Sequence, residues 1–253
     1  MRVIILVAGQ GTRLRPLTND RPKCMVELNK KPLIQYQLDL FKEFCINDIN
    51  VVTGYLEEKI NFESINKFYN PDYASTNMLY TLFCAKELFD GSDDILISYG
   101  DIIYNSEVLT KIMDSKGKVN VVVDRDWKDY WQARMDNPLE DAETLKIDDN
   151  GSIKELGKKA TSYDDIEGQY IGLIKIRKDF VVDFKNYYEN LDNTSVYDGK
   201  DYNNMYMTSF LQLITENVEP LNPVFIHNGW MEIDAPSDLL FSSFVKMKSA
   251  DNE

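Results

Sequence analysis

The most constraining stretch of this chain runs from Val3 to Lys23, where a continuous apolar run leads into two glycines and then into a loop with four cations and two prolines. Val3 to Val7 are apolar at every position rather than alternately, the pattern of a strand covered on both faces, as in a parallel sheet. Gly9 and Gly11 let the backbone approach a ligand and take positive φ where needed, so that main-chain N–H groups can face phosphate oxygens. Arg13, Arg15, Arg21 and Lys23 add positive side chains. Spacing excludes two familiar glycine loops. A dinucleotide fingerprint needs a small residue where Leu14 stands, and a Walker A loop needs Gly-Lys-Ser/Thr. Pro16 and Pro22 oppose an immediate helix, because an interior proline removes a hydrogen bond and clashes. The loop is therefore long, stiffened and cationic, and reads as a phosphate grip.

Charge distribution strengthens that reading. The 253 residues carry a net charge of −14, yet residues 1–31 hold seven Lys or Arg against two Asp or Glu, a local +5 that leaves −19 for the rest. Nucleic acid and anionic membranes call for a basic face, so neither is expected as a partner. A small anion bound at the loop is. With 43% hydrophobic residues the chain is globular and long enough for a large core. Cys24, Cys45 and Cys84 show no disulfide or metal-ligand spacing, which suits a reducing compartment and buried thiols. No apolar run approaches the roughly 18 residues of a membrane span, and the N-terminal run lacks a signal-peptide pattern, so a cytoplasmic location is expected. His227 is the one histidine. A multi-histidine metal site is thereby excluded, and a metal would be held by carboxylates, which points to magnesium.

Patterning along the chain predicts helix from Pro32 to Phe44, strand at Ile49 to Thr53, helix at Glu57 to Ile65 and strand at Lys67 to Tyr69. Helix is expected at Asn77 to Leu88 and strand at Ile95 to Tyr99, followed by Gly100-Asp101 where open α/β sheets bind ligands. Helix at Ser106 to Met113 and strand at Val119 to Val123 follow. The aromatic and polar segment after Asp124 reads as an insertion, with a hairpin at Thr144 to Ile147 and Ile153 to Leu156 around an Asp-Asn-Gly turn. Strands at Tyr170 to Ile176, Val224 to His227 and Trp230 to Ile233 alternate with helices at Asp179 to Leu191, Met205 to Glu216 and Pro236 to Met247. This alternation predicts an α/β fold: a Rossmann-like, mainly parallel sheet flanked by helices, forming one domain over residues 1–253, with segments 124–170 and 192–206 as insertion or lid.

Gly-x-Gly-Thr-Arg-Leu-x-Pro-Leu-Thr-x-x-x-Pro-Lys, Gly9 to Lys23, resembles the signature of nucleotidyltransferases that activate sugar phosphates and small amino or alcohol phosphates. The region Tyr73 to Tyr80, Val123 to Trp127, Ile171 to Leu173 and Trp230 to Asp234 is similar to the branch of cytidylyltransferases acting on phosphocholine, 2-aminoethylphosphonate or phosphoglutamine. The resemblance implies transfer of CMP from CTP to a small phosphorylated or phosphonylated amino compound, with magnesium on Asp101 and Asp234 and release of pyrophosphate. It assigns Arg13 and Lys23 to catalysis. It lays the nucleotide against Leu6, Ala8, Gly9, Gln10, Gly11, Thr12, Arg13, Ser75, Asn77, Tyr99 and Gly100. For the acceptor it nominates Lys23, Asp124, Trp127, Lys158, Glu167, Tyr206, Trp230 and Glu232; Lys158 stands where the sugar branch has the lysine of Glu-Lys-Pro. A homodimer is compatible with it. Three rivals stay open on the sequence: a sugar-1-phosphate nucleotidyltransferase, a glycosyltransferase using Asp93-Asp94, and a non-catalytic nucleotide-binding module.

Overall fold

The computed structural model describes residues 1–244. Its main sheet has nine strands, ordered edge to edge Asn66–Tyr69, Asp48–Thr53, Arg2–Leu6, Ile95–Tyr99, Gln169–Ile176, Val119–Asp124, Leu221–Ile226, Ile153–Lys159 and Glu143–Ile147. Only Gln169–Ile176 and Ile153–Lys159 run against the rest. The carboxyl ends of the central parallel strands therefore share one edge, where open α/β sheets place their sites.

The sheet is covered on both sides, as the unbroken apolar strands required. Val3 and Ile5 face one core, with Leu33, Ile34 and Phe41 of helix Leu33–Glu43 and with Val108, Leu109 and Ile112 of helix Ser106–Asp114. Ile4 and Leu6 face the other, under helices Met78–Phe83, Lys178–Glu189 and Met207–Asn217, where Phe83 stacks on Tyr188, Phe210 meets Tyr188 edge-on and Phe184 packs on both phenylalanines. Period-2 alternation along a strand thus feeds two cores at once.

Several expected elements are changed in the structure. The segment expected as helix over Glu57 to Ile65 holds a single 3-10 turn, Glu57–Lys59, entered through a left-handed Leu56. Its apolar residues Ile60, Phe62 and Ile65 are not spaced for one helical stripe, and Ile60 is buried from extended backbone. The helix expected over Asn77 to Leu88 stops at Phe83 and resumes as the short turn Lys86–Leu88. Conversely, Trp127–Arg134 is a helix that the aromatic content hid. Trp127, Tyr130 and Trp131 fall at i, i+3 and i+4 and are buried. Helix Leu33–Glu43 buries Leu33, Ile34, Gln37, Leu38, Leu40 and Phe41, a face that leaves Tyr36 half-buried. The hairpin expected around residues 144–156 is present, and it extends the main sheet at its edge. The closing segment Pro236–Phe244 is 3-10 with a kink at Phe241, and the expected helix end at Met247 lies outside the described residues.

Candidate active site

Three strand ends are tied together where the glycine loop begins. The N–H of Val7 donates to the Val52 carbonyl at 2.9 Å, that of Tyr55 to Ala8 at 3.0 Å and that of Gly100 to Leu6 at 3.0 Å. The loop then turns back on itself. Gly11 has φ +60°, and a Cβ there would stand 2.9 Å from the Lys23 Cβ, so a larger residue would push Lys23 out of place. Buried Thr18 staples the same turn by donating its hydroxyl to the Gly11 carbonyl at 2.8 Å. Gly9 differs: nothing lies within 4 Å of the position of its missing Cβ, so the space above it is open cleft.

Asp101 and Asp234, distant in sequence, are brought together by a two-stranded antiparallel ribbon, Ile102–Tyr104 with Trp230–Glu232. The Ile233 N–H donates to the Asp101 carbonyl at 3.0 Å and closes the ribbon's end. The turn after it is held by Asp238, whose Oδ2 accepts from the N–H groups of Asp234 and Ala235, both at 2.8 Å. Buried Arg134 fixes Asp238 in turn, at 3.1 Å, and reaches Glu232 at 3.4 Å. On the other side, buried Gln37 donates to the carbonyls of Tyr99 at 2.8 Å and Ile102 at 2.7 Å, which bracket Asp101, and accepts from the Ser98 hydroxyl at 2.9 Å.

Into this frame project the loop cations. The Lys23 ammonium donates to Asp101 Oδ2 at 2.6 Å and pairs with Asp234 Oδ1, while Arg13 meets Asp234 Oδ2 at 2.8 Å. Burial by itself would lower the Lys23 ammonium, but the facing Asp101 and Asp234 carboxylates outweigh it and hold it above the ordinary lysine range. Asp234 shows the reciprocal balance: burial pushes it up, and Lys23 and Arg13 carry it below the ordinary range. Glu232, half-buried and close to both aspartates, is pushed well above the carboxylate range by desolvation and by those two charges.

Oxygens of Asp101, Glu232 and Asp234 lie within 4.8 Å of one another. Asp101 Oδ1, shielded from solvent, has no hydrogen-bond partner among the described residues. A hard, all-oxygen donor set with one buried oxygen unsatisfied fits a divalent cation such as magnesium. A cleft of about 340 Å³ opens above the cluster, lined by Leu6, Ala8, Gly9, Gly11, Thr12 and Arg13 on one side and by Asn77, Tyr99 and Gly100 on the other. A second cavity of about 230 Å³ continues from it through Arg13, Asn77, Tyr99, Glu232 and Asp234 toward Trp131, Glu143 and Tyr206.

Comparison with known proteins decides the family. The MobA-like NTP transferase domain matches residues 3–156, more than half of the chain. This chain belongs to that family of nucleotidyltransferases. It is 46% identical over 249 residues to the CTP:phosphoglutamine cytidylyltransferase of Campylobacter jejuni, covering 94% of this chain and 98% of the relative. To the choline-phosphate cytidylyltransferase of Streptococcus pneumoniae it is 45% identical over 91 residues, 34% of this chain and 40% of the relative. Among solved structures, a putative glucose-1-phosphate thymidylyltransferase from Bacillus anthracis superposes with a TM-score of 0.74 at 16% identity, over 100% of this chain and 97% of the other, a likeness of fold.

The structure of this nucleotidyltransferase distributes the residues expected from sequence unevenly. Leu6, Ala8, Gly9, Gly11, Thr12, Arg13, Lys23, Asn77, Tyr99, Gly100, Asp101, Glu232 and Asp234 all line the main cleft, and Tyr206 lines the second cavity. Gln10 lines neither. Ser75 is exposed in a turn, its hydroxyl donating to the Asp72 carbonyl at 3.3 Å, and Tyr73 and Thr76 line the cleft in its place. Asn77 begins helix Met78–Phe83: its Oδ1 accepts from the Met78 N–H at 2.7 Å and its Nδ2 donates to the Asn204 carbonyl at 3.2 Å. Its amide is therefore engaged at both ends.

Five acceptor candidates are placed elsewhere. Asp124 is fully buried and accepts from Trp230 Nε1 at 2.8 Å, the Asn228 N–H at 2.9 Å and the Asp126 N–H at 3.0 Å, a structural clamp with no open face. Trp127 and Trp230 are core residues of an aromatic cluster with Tyr130 and Trp131. Lys158 is exposed and paired with Glu155 at 3.1 Å, next to Gly157 at φ +82° and an irregularity in the strand register, and it lines neither cavity. Glu167 is exposed and accepts from the Ile147 N–H at 3.2 Å. Asp93 and Asp94 sit at the opposite edge of the sheet, before strand Ile95–Tyr99, where Asp93 meets the N-terminal ammonium at 3.3 Å and Asp94 accepts from the Lys178 N–H at 2.8 Å. They take no part in the cleft. Sequence reasoning missed Asp141, Glu143, Tyr170 and Thr208 of the second cavity. They come from different elements, and no local motif groups them.

Proposed function

We propose that this nucleotidyltransferase moves CMP from CTP to a small phosphorylated amino compound, phosphoglutamine first among the candidates, with magnesium, and releases pyrophosphate. The observation that carries the reading is the convergence of Arg13, Lys23, Asp101 and Asp234 beside the open glycine loop, in a chain that aligns nearly end to end with a phosphoglutamine cytidylyltransferase.

The chemistry asks mainly for position and charge neutralisation. An acceptor phosphate oxygen attacks the α-phosphorus of CTP, a new phosphorus–oxygen bond forms, and the bond to the bridging β-oxygen breaks. With a second pKa near 6, the acceptor phosphate is already largely dianionic at neutral pH, so no strong general base is needed. The Gly9-to-Thr12 backbone and Arg13 receive the triphosphate. Lys23, held charged by its two aspartates, sits where negative charge accumulates as the bond to the leaving pyrophosphate lengthens. Magnesium bound by Asp101 and Asp234, with Glu232 beside them, would supply further neutralisation of the phosphates. The sugar-phosphate alternative lacks its second lysine in the cleft, since Lys158 faces solvent.

A panel of four nucleoside triphosphates against phosphoglutamine, phosphocholine and glucose 1-phosphate, read by pyrophosphate release, tests the reading. CTP with an amino phosphate is expected to give the highest rate. Lys23→Ala is expected to lower kcat by about 10²- to 10³-fold, the loss typical when one transition-state donor is removed, while circular dichroism still reports a folded chain. Wild-type-like turnover in Lys23→Ala, or no CTP-dependent release with any amino phosphate, would defeat it.

A further inference from the structure

The second cavity has a charge arrangement that the nucleotide does not use. It meets the main cleft at Arg13 and Asp234, and at its far end stands Glu143. Glu143 is exposed and opens onto the cavity, where the surrounding protein, with Asp141 adding to it, pushes its carboxyl up to about 7. Among the described residues no lysine, arginine or hydrogen-bond donor meets that carboxylate. Its backbone is clamped on both sides by buried Gln169, which accepts from the Glu143 N–H at 3.2 Å and donates to the Glu143 carbonyl at 2.6 Å. The side chain is thus aimed by the fold and left without a partner.

A second group in the same cavity is also unsatisfied. The Tyr170 hydroxyl is wholly shielded from bulk solvent and makes no hydrogen bond of acceptable geometry. Burial, and after it the neighbouring Tyr99 hydroxyl, push the Tyr170 hydroxyl well above the ordinary range, the two rings standing edge-on with centroids 5.8 Å apart. Buried polar groups are normally paired, so the Tyr170 hydroxyl, on the same cavity wall as a carboxylate with no protein cation beside it, marks a place for a polar ligand. Asp141 is already engaged by Trp131 Nε1 at 3.1 Å, which leaves Glu143 as the free charge. Trp131 and exposed Tyr206 stand on the same walls, with Arg134 over the first ring at 5.6 Å and Lys200 over the second at 5.4 Å.

We propose that Glu143 is the specificity-determining residue at the acceptor end of the cleft, its carboxylate receiving the ammonium group of an amine-bearing phosphate. The proposal rests on the nucleotidyl-transfer reading above and adds to it the group that selects the acceptor. The ligand it implies is dipolar, with its phosphate toward Arg13 and Lys23 and its ammonium toward Glu143. A neutral sugar seated there would displace water from the carboxylate without pairing it, which costs affinity rather than adding it.

The test is steady-state kinetics of the wild-type enzyme and Glu143→Gln with phosphoglutamine and with the same compound lacking its α-amino group. Glu143→Gln is expected to raise KM for phosphoglutamine by about tenfold or more, the loss of one charge-assisted contact. Its kcat should change by less than about threefold and KM for CTP should stay put, a split that marks lost ground-state binding. The amine-free analogue should serve both enzymes equally poorly. An unchanged KM for phosphoglutamine overturns the proposal, and so does an equal rise for the amine-free analogue, which would make Glu143 merely structural. Failure of the underlying reading has a different signature: no pyrophosphate from the wild-type enzyme with any acceptor.

Discussion

At the scale of single residues, the site depends on groups that never reach the substrate. Gln37 is an instance. It lies on the buried face of its helix and satisfies two carbonyls on either side of Asp101 together with the Ser98 hydroxyl. Gln37→Leu roughly keeps the volume but takes the amide donors from the two carbonyls and the nearest acceptor from the Ser98 hydroxyl, which keeps only longer contacts to Tyr104 and the Tyr99 carbonyl. The expected cost is roughly 2 to 4 kcal/mol, since an orphaned buried polar group costs about 1 to 3, measurable by urea denaturation. Turnover should fall as well, at temperatures where the variant is still folded, because Asp101 is no longer bracketed. A Gln37→Leu variant of wild-type stability would show that the bracket is not what fixes Asp101. Sequence could not single out Gln37, because an amide in an apolar helix stripe has no visible partner until the sheet is assembled. Arg13 and Lys23 were legible for the opposite reason: their cations sit a few residues from the glycines that need them. Glu143 and Tyr170 share the obscurity of Gln37, since a missing partner is a fact of three dimensions.

At the scale of elements, the buried strands and the helices Leu33–Glu43, Ser106–Asp114, Lys178–Glu189 and Met207–Asn217 were legible from apolar spacing, and helix Trp127–Arg134 was not. Val3 to Val7 are apolar throughout, Ile95 to Tyr99 and Val119 to Val123 are apolar but for Ser98 and Asn120, and each is a central strand. Helix Trp127–Arg134 was hidden because its aromatics suggest ligand faces as readily as core, and the structure uses most of them as core. Its function lies at its last residue. Arg134 links this helix to Asp238, and Asp238 holds the turn that presents Asp234. Arg134→Met removes one partner of a buried charge pair and leaves Asp238 uncompensated, a loss of about 3 to 5 kcal/mol. Lys158→Ala is the contrasting variant: it breaks an exposed pair worth less than about 1 kcal/mol and, with Lys158 outside the cleft, should leave turnover as it was. If denaturation midpoints of the two variants shifted equally, helix Trp127–Arg134 would not be the brace described here. If Lys158→Ala lost turnover, the placement of that lysine outside the site would be wrong.

At the scale of the whole molecule, a chain of net charge −14 must bind a highly anionic triphosphate over three clustered carboxylates. The loop cations solve half of that problem, and in the free protein they are already paired with Asp101 and Asp234. CTP arriving alone would draw Arg13 and Lys23 toward its phosphates and leave the aspartates facing one another and the nucleotide. A divalent cation arriving alone would compete with those same cations for the same oxygens. Together the two ligands neutralise each other and free the cations, so their binding should be positively coupled. Ligand binding stabilises the native state by about 2.7 kcal/mol at a hundredfold excess over Kd, and a chain of this size gains about 2 to 4 °C per kcal/mol. Thermal unfolding with saturating CTP and magnesium should therefore rise by about 5 to 10 °C, by more than the sum of the shifts produced by each ligand alone. EDTA should remove most of the shift produced by the pair. Asp234→Asn should abolish the excess, because it takes away the carboxylate that both loop cations hold. A CTP shift that is the same in EDTA as in magnesium would mean that Asp101 and Asp234 exist to position Lys23 and Arg13, and that no metal is shared between them.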